Sequence, residues 1–350
     1  MSGVVMVVGG GVAGCAAAVA ASGSGADVVL IEARRHLGGV AAQGEHRTLA
    51  GLAPIDAPHA ELLEPGLTAD WVGALATGAP YRQGRVWLWP TAADALQAGL
   101  QRRRANNRVT VRLGADLAGV VVREARVVAV TVAGMPLPVR ALIDASGCGL
   151  AAHLLGVPTA PAEHWGAHRS MLRLPGLGPG LAARASALLR AQRATGGTAA
   201  IALTPLGGDW QLSLDLSPGS NAATAAVLAQ RVAEALDGEL LACAVAVAER
   251  DAGRPRAGLD LDALFATRAR GLCWAAWPRE AHGEAGVAWT WPPHDRHGIP
   301  PEAAQPDWAP RNLWLAGKAL AVTADAAAAL RVTGTGLAVG GAVGCLAASA

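Results

Sequence analysis

Three glycines constrain this chain more than anything else in it. Gly9, Gly11 and Gly14 follow directly on the apolar, β-branched run Val4 to Val8 and precede an Ala-rich stretch from Cys15 to Ala21. Between a strand and a helix, G-x-G-x-x-G spacing has a geometric purpose. The first glycine permits a tight turn, the second lets the backbone approach a pyrophosphate, and the third lets helix and strand pack closely. The helix that starts there offers free N–H groups and partial positive charge to the same phosphates. Ser22 to Gly25 ends the predicted helix, Val28 to Ile31 is the predicted second strand, and Glu32 closes it, where an acidic side chain accepts hydrogen bonds from ribose hydroxyls. Both strands read as unbroken apolar runs, as parallel strands covered on both faces do. A glycine-rich turn beside a solvated Glu is the bland alternative, and four residues in register weigh against it.

Farther along, Ala92, Ala95, Leu96, Gly99 and Leu100 fall at helical spacing within Thr91 to Arg104, and Arg102, Arg103 and Arg104 suit the negative end of such a helix. Val109 to Leu113, Leu117 to Val122, Arg126 to Val132 and Ala141 to Asp144 read as strands, the middle two a pair in a small meander. From about Leu150 to Arg311, Pro and Gly are frequent. Trp165, Trp210, Trp274, Trp277, Trp289 and Trp291 are scattered there among short runs such as Thr198 to Leu203 and Trp210 to Leu216. The chain returns through a predicted strand, Asn312 to Ala316, a Gly-rich turn at Thr333 to Gly336, and a closing helix from Leu337 to Ala348. The expected architecture is a Rossmann-like α/β domain from residues 1–150 and 312–350, with residues 151–311 inserted as a mixed α+β substrate or cap domain.

Composition narrows the partners. Of 350 residues, 52% are hydrophobic and 16% charged, which suits strands covered on both faces. A net charge of +2 provides no basic field for nucleic acid. Cys15, Cys148, Cys243, Cys273 and Cys345 lie far apart without a C-x-x-C pair, so neither a zinc site nor a disulfide framework is expected, and a reduced, cytoplasmic setting fits. His153, His164 and His168 form no helix-face metal pair, so no metal is expected. Eleven Trp against one Tyr and one Phe, amid abundant Ala, Gly, Val and Arg, read as the bias of a GC-rich bacterial genome. Gly3 to Gly25 is apolar, and Val12-Ala13-Gly14-Cys15 resembles a lipoprotein cleavage site, but no positive n-region precedes it. Leu313 to Ala350 is nearly as apolar, yet Lys318, Asp325 and Arg331 interrupt it, so a buried core element is expected rather than a membrane span.

Arg34-Arg35-His36-Leu37-Gly38-Gly39 follows Glu32, and this order resembles the FAD-binding rather than the NAD-binding version of the fold. Ile143-Asp144-Ala145-Ser146-Gly147 resembles a second flavin-contact motif, an apolar strand ending in Asp-Ala-Thr-Gly. Leu315-Ala316-Gly317-Lys318, Thr323, Arg331-Val332, Thr335, Gly340 and Ala342-Val343-Gly344 resemble a C-terminal signature. Together these segments resemble the FAD-dependent oxidoreductase family related to the glutathione-reductase and succinate-dehydrogenase-like flavoproteins. The resemblance implies FAD as cofactor. Gly9, Gly11 and Gly14 would hold its pyrophosphate, Glu32 the adenosine ribose, and Arg34 or Arg35 the adenine side. Gly38 and Gly39 would pass toward the isoalloxazine, Ala145, Ser146 and Gly147 would run beneath the dinucleotide, and Gly317 with Lys318 would approach its ribityl and phosphate portion. Gly334, Thr335 and Gly336 would aim backbone N–H groups at the flavin's pyrimidine edge, where negative charge develops on reduction.

Departures from the family pattern bear on chemistry. Ala324 follows Thr323 where His is common, Cys148 stands where an acidic residue usually follows the second motif, and Lys318 replaces the usual Arg, keeping charge without bidentate geometry. His46, Arg47 and Arg331 are the candidates for catalytic work, each with a structural ion-pair reading at even weight. Cys15 reads as a small core residue, and the tryptophans most simply as core, with a stacking platform the minority reading. The leading expectation is oxidation of a small organic substrate by hydride transfer to FAD. The alternatives are a flavin monooxygenase acting on an aromatic or protein-borne substrate, against which Gly317-Lys318 counts where that branch carries Gly-Asp, and a catalytically weakened FAD-binding maturation or assembly factor, which Ala324 favours.

Overall fold

The computed structural model describes residues 3–104, 108–159, 166–175, 188, 198–206, 208–216, 221–244, 248–249, 255, 258–283 and 286–350. Its first third runs β1 (Val4–Val8), α1 (Val12–Gly23), β2 (Val28–Glu32), α2 (Gly39–Gln43), β3 (Thr48–Leu49), α3 (Pro65–Leu75), β4 (Tyr81–Gln83), β5 (Val86–Pro90) and α4 (Ala93–Arg104). Then come β6 (Val109–Leu113), β7 (Leu117–Arg123), β8 (Arg126–Val132), β9 (Met135–Asp144) and α5 (Leu150–Leu154). β1 lies between β2 and β9, all parallel, with β6 outside β2. β19 (Leu313–Leu315) adds in parallel on the other side of β9. This is the expected βαβ start with its C-terminal return strand, and the fold is α/β and Rossmann-like.

β9 is longer than the predicted Ala141 to Asp144 and serves two sheets. Its second half sits between β1 and β19, while its first half pairs antiparallel with β8, and β8 with β7. Pro136 and Pro138 hid that first half from the sequence reading. Both fall before Val139, where pairing with β1 begins, so the side facing β1 is an open edge there and a missing N–H costs nothing. Asn312 locks the return segment to this junction. Its buried amide accepts from Val127 N–H at 2.7 Å and donates to the carbonyls of Val127 and Arg140 at 2.8 and 2.6 Å.

A second, antiparallel sheet comprises β10 (Gly166–Arg173), β11 (Thr198–Leu206), β12 (Asp209–Leu216), β13 (Glu239–Cys243) and β14 (Ala248–Glu249), crossed by α6 (Ala222–Ala235). Asn221 caps α6 by accepting from Thr224 N–H at 2.9 Å. Ala225, Ala229, Val232 and Ala233, one face of the helix, bury against Leu172, Leu212, Leu214 and Leu216. This core is smaller than the insertion expected over 151–311. The later segments α7 (Leu261–Ala266), β15 (Trp274–Ala275), β16 (Arg279–Gly283), β17 (Gly286–Thr290) and β18 (His297–Gly298) follow, and Leu264, Phe265, Leu272, Cys273 and Ile299 pack into the first core instead. Their Trp-rich, Pro-interrupted pattern gives no periodicity to assign them by. Trp165 and His164 lie outside the described residues.

The chain closes with α8 (Ala324–Leu330) and α9 (Thr333–Ala348). Among the described residues no single helix is long and apolar enough to cross a membrane. α8 and α9 reach that length only together, bent by 94°, and α9 is largely buried.

Candidate functional site

The site begins where β1 turns into α1. Gly9 holds φ +99°, and a Cβ there would lie 2.8 Å from Ser146 Cα and overlap the Ala145 carbonyl, so the glycine loop and the Ala145–Gly147 turn share one backbone-to-backbone contact. A Cβ at Gly14 would overlap the Gly9 carbonyl oxygen, whereas one at Gly11 would meet nothing within 4 Å. Gly11 is also the N-cap of α1 and offers no side chain, so the first-turn N–H groups remain uncapped on the side that Gly11 leaves open. Glu32 stands beside them, 8% exposed, accepting from Gly10 N–H at 2.6 Å and Arg34 N–H at 2.9 Å. Each oxygen keeps a lone pair for a hydroxyl donor.

Arg34 is exposed and turns its guanidinium onto Gln43 Oε1, and Gln43 Nε2 lies 2.6 Å from His36 Nε2; Arg35 is exposed. Gly38 and Gly39 both have positive φ, and Gly38 N–H donates to the Gly10 carbonyl at 2.8 Å, seating the start of α2 beside Gly11. Asp144 is fully buried. It accepts from Ser146 N–H at 3.0 Å and Ala151 N–H at 2.7 Å, and burial pushes its carboxyl above the usual carboxylate range against the pull of those donors. Ser146 Oγ in turn accepts from Leu150 N–H at 3.2 Å. The second motif is thus a self-capping turn that ends β9 and starts α5. Cys148, in the departing position, is exposed with Sγ 3.5 Å from Ser146 Oγ.

α9 brings the C-terminal signature to the same place. A Cβ at Gly340 would overlap the Ala13 carbonyl and one at Gly344 the Ala17 carbonyl, so α9 crosses α1 with no room for side chains. Gly317 (φ +62°) packs on Ala13, and Lys318 runs past Gly147. α9 begins at Thr333, four residues before the predicted Leu337, so Gly334, Thr335 and Gly336 form its first turn rather than a loop before it. Gly334 N–H donates to the Ala50 carbonyl and Gly336 N–H to the Val332 carbonyl, at 2.8 and 2.9 Å. Those two N–H groups are therefore engaged within the protein, a correction to the expected donor set. Thr335 differs, because its Oγ1 is buried without a hydrogen-bond partner beside Gly51.

Of the remaining candidates, His46 lies where the second sheet meets the first body. Arg169 Nη1 lies 2.9 Å from His46 Nε2, and Gln211 Nε2 donates to the Glu45 carbonyl at 2.8 Å. Arg169 and Gln211 carried no sequence signal, since a lone Arg and Gln on alternating strands fit no motif. Arg47 pairs with Glu45 at 2.6 Å, and Glu45 adopts φ +50°, a left-handed conformation uncommon for Glu. Arg331 donates to the Glu280 carbonyl in β16 at 2.8 Å and thereby anchors the β16–β17 hairpin. Thr323 caps α8 through Ala326 N–H, and Asp325 pairs with Arg279 at 2.7 Å.

Residues 5–201 and 261–350 match the model of the family described as FAD dependent oxidoreductase. The chain belongs to that family. No curated protein matches it in sequence. Among solved structures it is similar to a geranylgeranyl bacteriochlorophyll reductase-like protein from Thermoplasma acidophilum, with 17% identity and a TM-score of 0.50 over 99% of this chain and 77% of that one. It is also similar to OxyS anhydrotetracycline hydroxylase from Streptomyces rimosus, with 13% identity and a TM-score of 0.51 over 91% of this chain and 57% of that one. The likeness to AlpK has 14% identity and a TM-score of 0.50 over 97% and 60%. The chain thus spans about three fifths of the length of several structures it matches, and these likenesses show the fold. The residues present fit FAD as the cofactor. The uncapped α1 N-terminus, the space beside Gly11, the buried Glu32 carboxylate and the orphaned Thr335 hydroxyl are what a bound dinucleotide would satisfy.

Proposed function

We propose that this oxidoreductase removes a hydride from a small organic substrate held between the flavin and the antiparallel sheet. The observation that supports this reading is the clasp of His46 by Arg169 and of Glu45 by Gln211. It draws β10 and β12 over the loop that leads from Gly38-Gly39 to Ala50-Gly51 and the start of α9. In this reading the α1 N-terminus with Gly9, Gly11 and Gly14 holds the pyrophosphate, and Glu32 the ribose. Arg34 and Arg35 flank the adenine, while Gly38, Gly39, Ala145, Ser146, Gly147, Gly317, Lys318 and the Gly334-Thr335-Gly336 turn line the rest. FAD supplies the redox chemistry, and the protein supplies orientation and electrostatics.

A guanidinium only donates, so Arg169 makes His46 Nε2 an acceptor and keeps the imidazole neutral with its proton on Nδ1. In this reading the fixed tautomer orients His46 toward the substrate, and Arg47 is held beside it by its ion pair with Glu45. Arg331 acts as a positioning residue through the β16–β17 hairpin. A catalytically weakened assembly factor is the second reading, favoured by Ala324. The neighbours of Ala324 are spent on the α8 cap and a surface ion pair, so no acid–base group replaces the family His there.

The test is anaerobic reduction of the FAD-loaded protein by a panel of amines, amino acids, hydroxy acids and NAD(P)H. One donor is expected to bleach the flavin, and His46→Ala and Arg169→Ala to slow that reduction about 10²-fold with FAD retained. A yellow protein that no donor reduces would favour the assembly reading. A chain that takes up no FAD would overturn both.

A further inference from the structure

Next to the start of α9 lies an aromatic corner that none of the flavin motifs uses. Trp277 is 8% exposed and packs with Ala50, Leu88, Tyr81 and Val332, the same Ala50 and Val332 whose carbonyls accept from the first turn of α9. Its indole Nε1 is buried with no acceptor, and the Tyr81 hydroxyl in the same cluster is buried with no partner. Burial also raises the Tyr81 pKa, which keeps that hydroxyl a donor. Buried donors are normally satisfied, so two orphans in one cluster beside a cofactor site point to an acceptor supplied from outside the chain.

The third member of the corner is open. Trp289 meets Trp277 edge to face, centroids 6.3 Å apart at 67°, and stacks on Trp291 at 6.2 Å and 21°. Arg85 covers Trp291 at 4.4 Å and is itself neutralised by Asp56 at 2.6 Å. Trp289 alone of the three stays 46% exposed, although burying an indole is favourable and the neighbouring rings show that the chain can do so. Among the described residues the cations around the corner are engaged within the protein, Arg85 with Asp56, Arg279 with Asp325 and Arg331 with the Glu280 carbonyl, so the corner favours a neutral ligand over a carboxylate.

We propose that the Trp289 face and the Trp277–Tyr81 corner seat the substrate ring, a neutral planar aromatic bearing an oxygen acceptor. The ring stacks on Trp289 while its oxygen accepts from Trp277 Nε1 and the Tyr81 hydroxyl, next to the first turn of α9. This rests on the oxidoreductase reading above and names the substrate class for it.

Equilibrium dialysis of the FAD-loaded protein against 1-naphthol, naphthalene and decahydro-1-naphthol separates the two interactions. Naphthalene keeps the ring without the oxygen, and the decahydro compound keeps the oxygen without the aromatic face. 1-Naphthol is expected to bind about tenfold more tightly than either. Trp289→Ala, at a half-exposed position that does not threaten the fold, is expected to erase the preference over the decahydro compound. Tyr81→Phe, which removes one oxygen and no volume, is expected to reduce the preference over naphthalene. Equal binding of the three probes by the yellow protein, or preferences unchanged in both variants, would overturn this proposal alone; failure to take up FAD would overturn the oxidoreductase reading with it.

Discussion

Where α9 crosses α1, backbone meets backbone. Gly340 and Gly344 lie against the carbonyls of Ala13 and Ala17, and Gly14 lies against Gly9. Where α6 crosses the antiparallel sheet, the contact is made of side chains, alanines and Val232 on leucines. The first arrangement fixes helix positions to within an atomic radius and sets the first turn of α1 against α9 about two turns from that helix's start. The second needs only apolar volume, and volume can be redistributed among neighbours. The strictest geometry lies at the nucleotide motifs and the most tolerant in the antiparallel sheet.

Substitutions can break or sharpen this contrast. The largest effect is expected at Gly14. Gly14→Val drives a branched side chain into the glycine loop, and FAD should be lost altogether on gel filtration of the reconstituted protein; retention of stoichiometric FAD would mean the loop is far more pliable than its contacts imply. Gly340→Val should cost roughly 3 kcal/mol or more by overpacking against a carbonyl that cannot move aside. It should also weaken FAD affinity, although position 340 lies about two turns from the helix start, as paired thermal melts with and without FAD can establish.

A third effect is read through pH. His297 is fully buried in β18 against the ring of Phe265, with neither ring nitrogen hydrogen-bonded, and burial lowers its pKa to about 4. Its folded value lies below the unfolded one, so its contribution is fully present above about pH 6.5 and is lost as pH falls toward 4, a change on the order of 3 kcal/mol. His297→Leu should flatten that part of the stability profile relative to the parent, measured by urea titration at a series of pH values. Asp144, whose carboxyl is shifted the other way, is common to both proteins and drops out of the difference. The smallest effect is expected at Leu214 in the second core. Leu214→Met keeps volume, should cost less than about 1.5 kcal/mol, and should leave FAD binding unchanged; a Gly340-sized loss there would erase the distinction between the two regions.

The same contrast explains what could be read in the sequence. The glycine spacing, Glu32 and the C-terminal signature were legible because close backbone approach admits only glycine or alanine, leaving a mark at fixed positions. β1, β2, β6, β8, β11 and β12 were legible as apolar or alternating runs. The first half of β9 was not, because Pro136 and Pro138 argue against a strand unless its edge is known to be open. The start of α9 was misplaced because Gly334 and Gly336 look like a turn; they are helical glycines, Gly334 forced by contact with Ala50 and Leu52. Arg169 and Gln211 were invisible, since their importance comes from reaching Glu45 and His46 across more than 120 intervening residues. Which core Leu264, Phe265, Leu272, Cys273 and Ile299 join was not legible within the expected 151–311 insertion, because burial in one core or the other leaves the same apolar composition.

The position of β19 and α9 in the chain also fixes when the cofactor can arrive during synthesis. Until residues 313–348 have emerged from the ribosome, β9 has an unpaired edge, α1 has a bare glycine-and-alanine face, and the nucleotide loop has no partner to hold it. Strand pairing between segments this distant is slow and leaves such surfaces exposed in the meantime. The nascent chain therefore passes through a long stage in which most of its sheet exists and its FAD site does not, and in that interval it depends on protection from aggregation rather than on stabilisation by the ligand it will later carry.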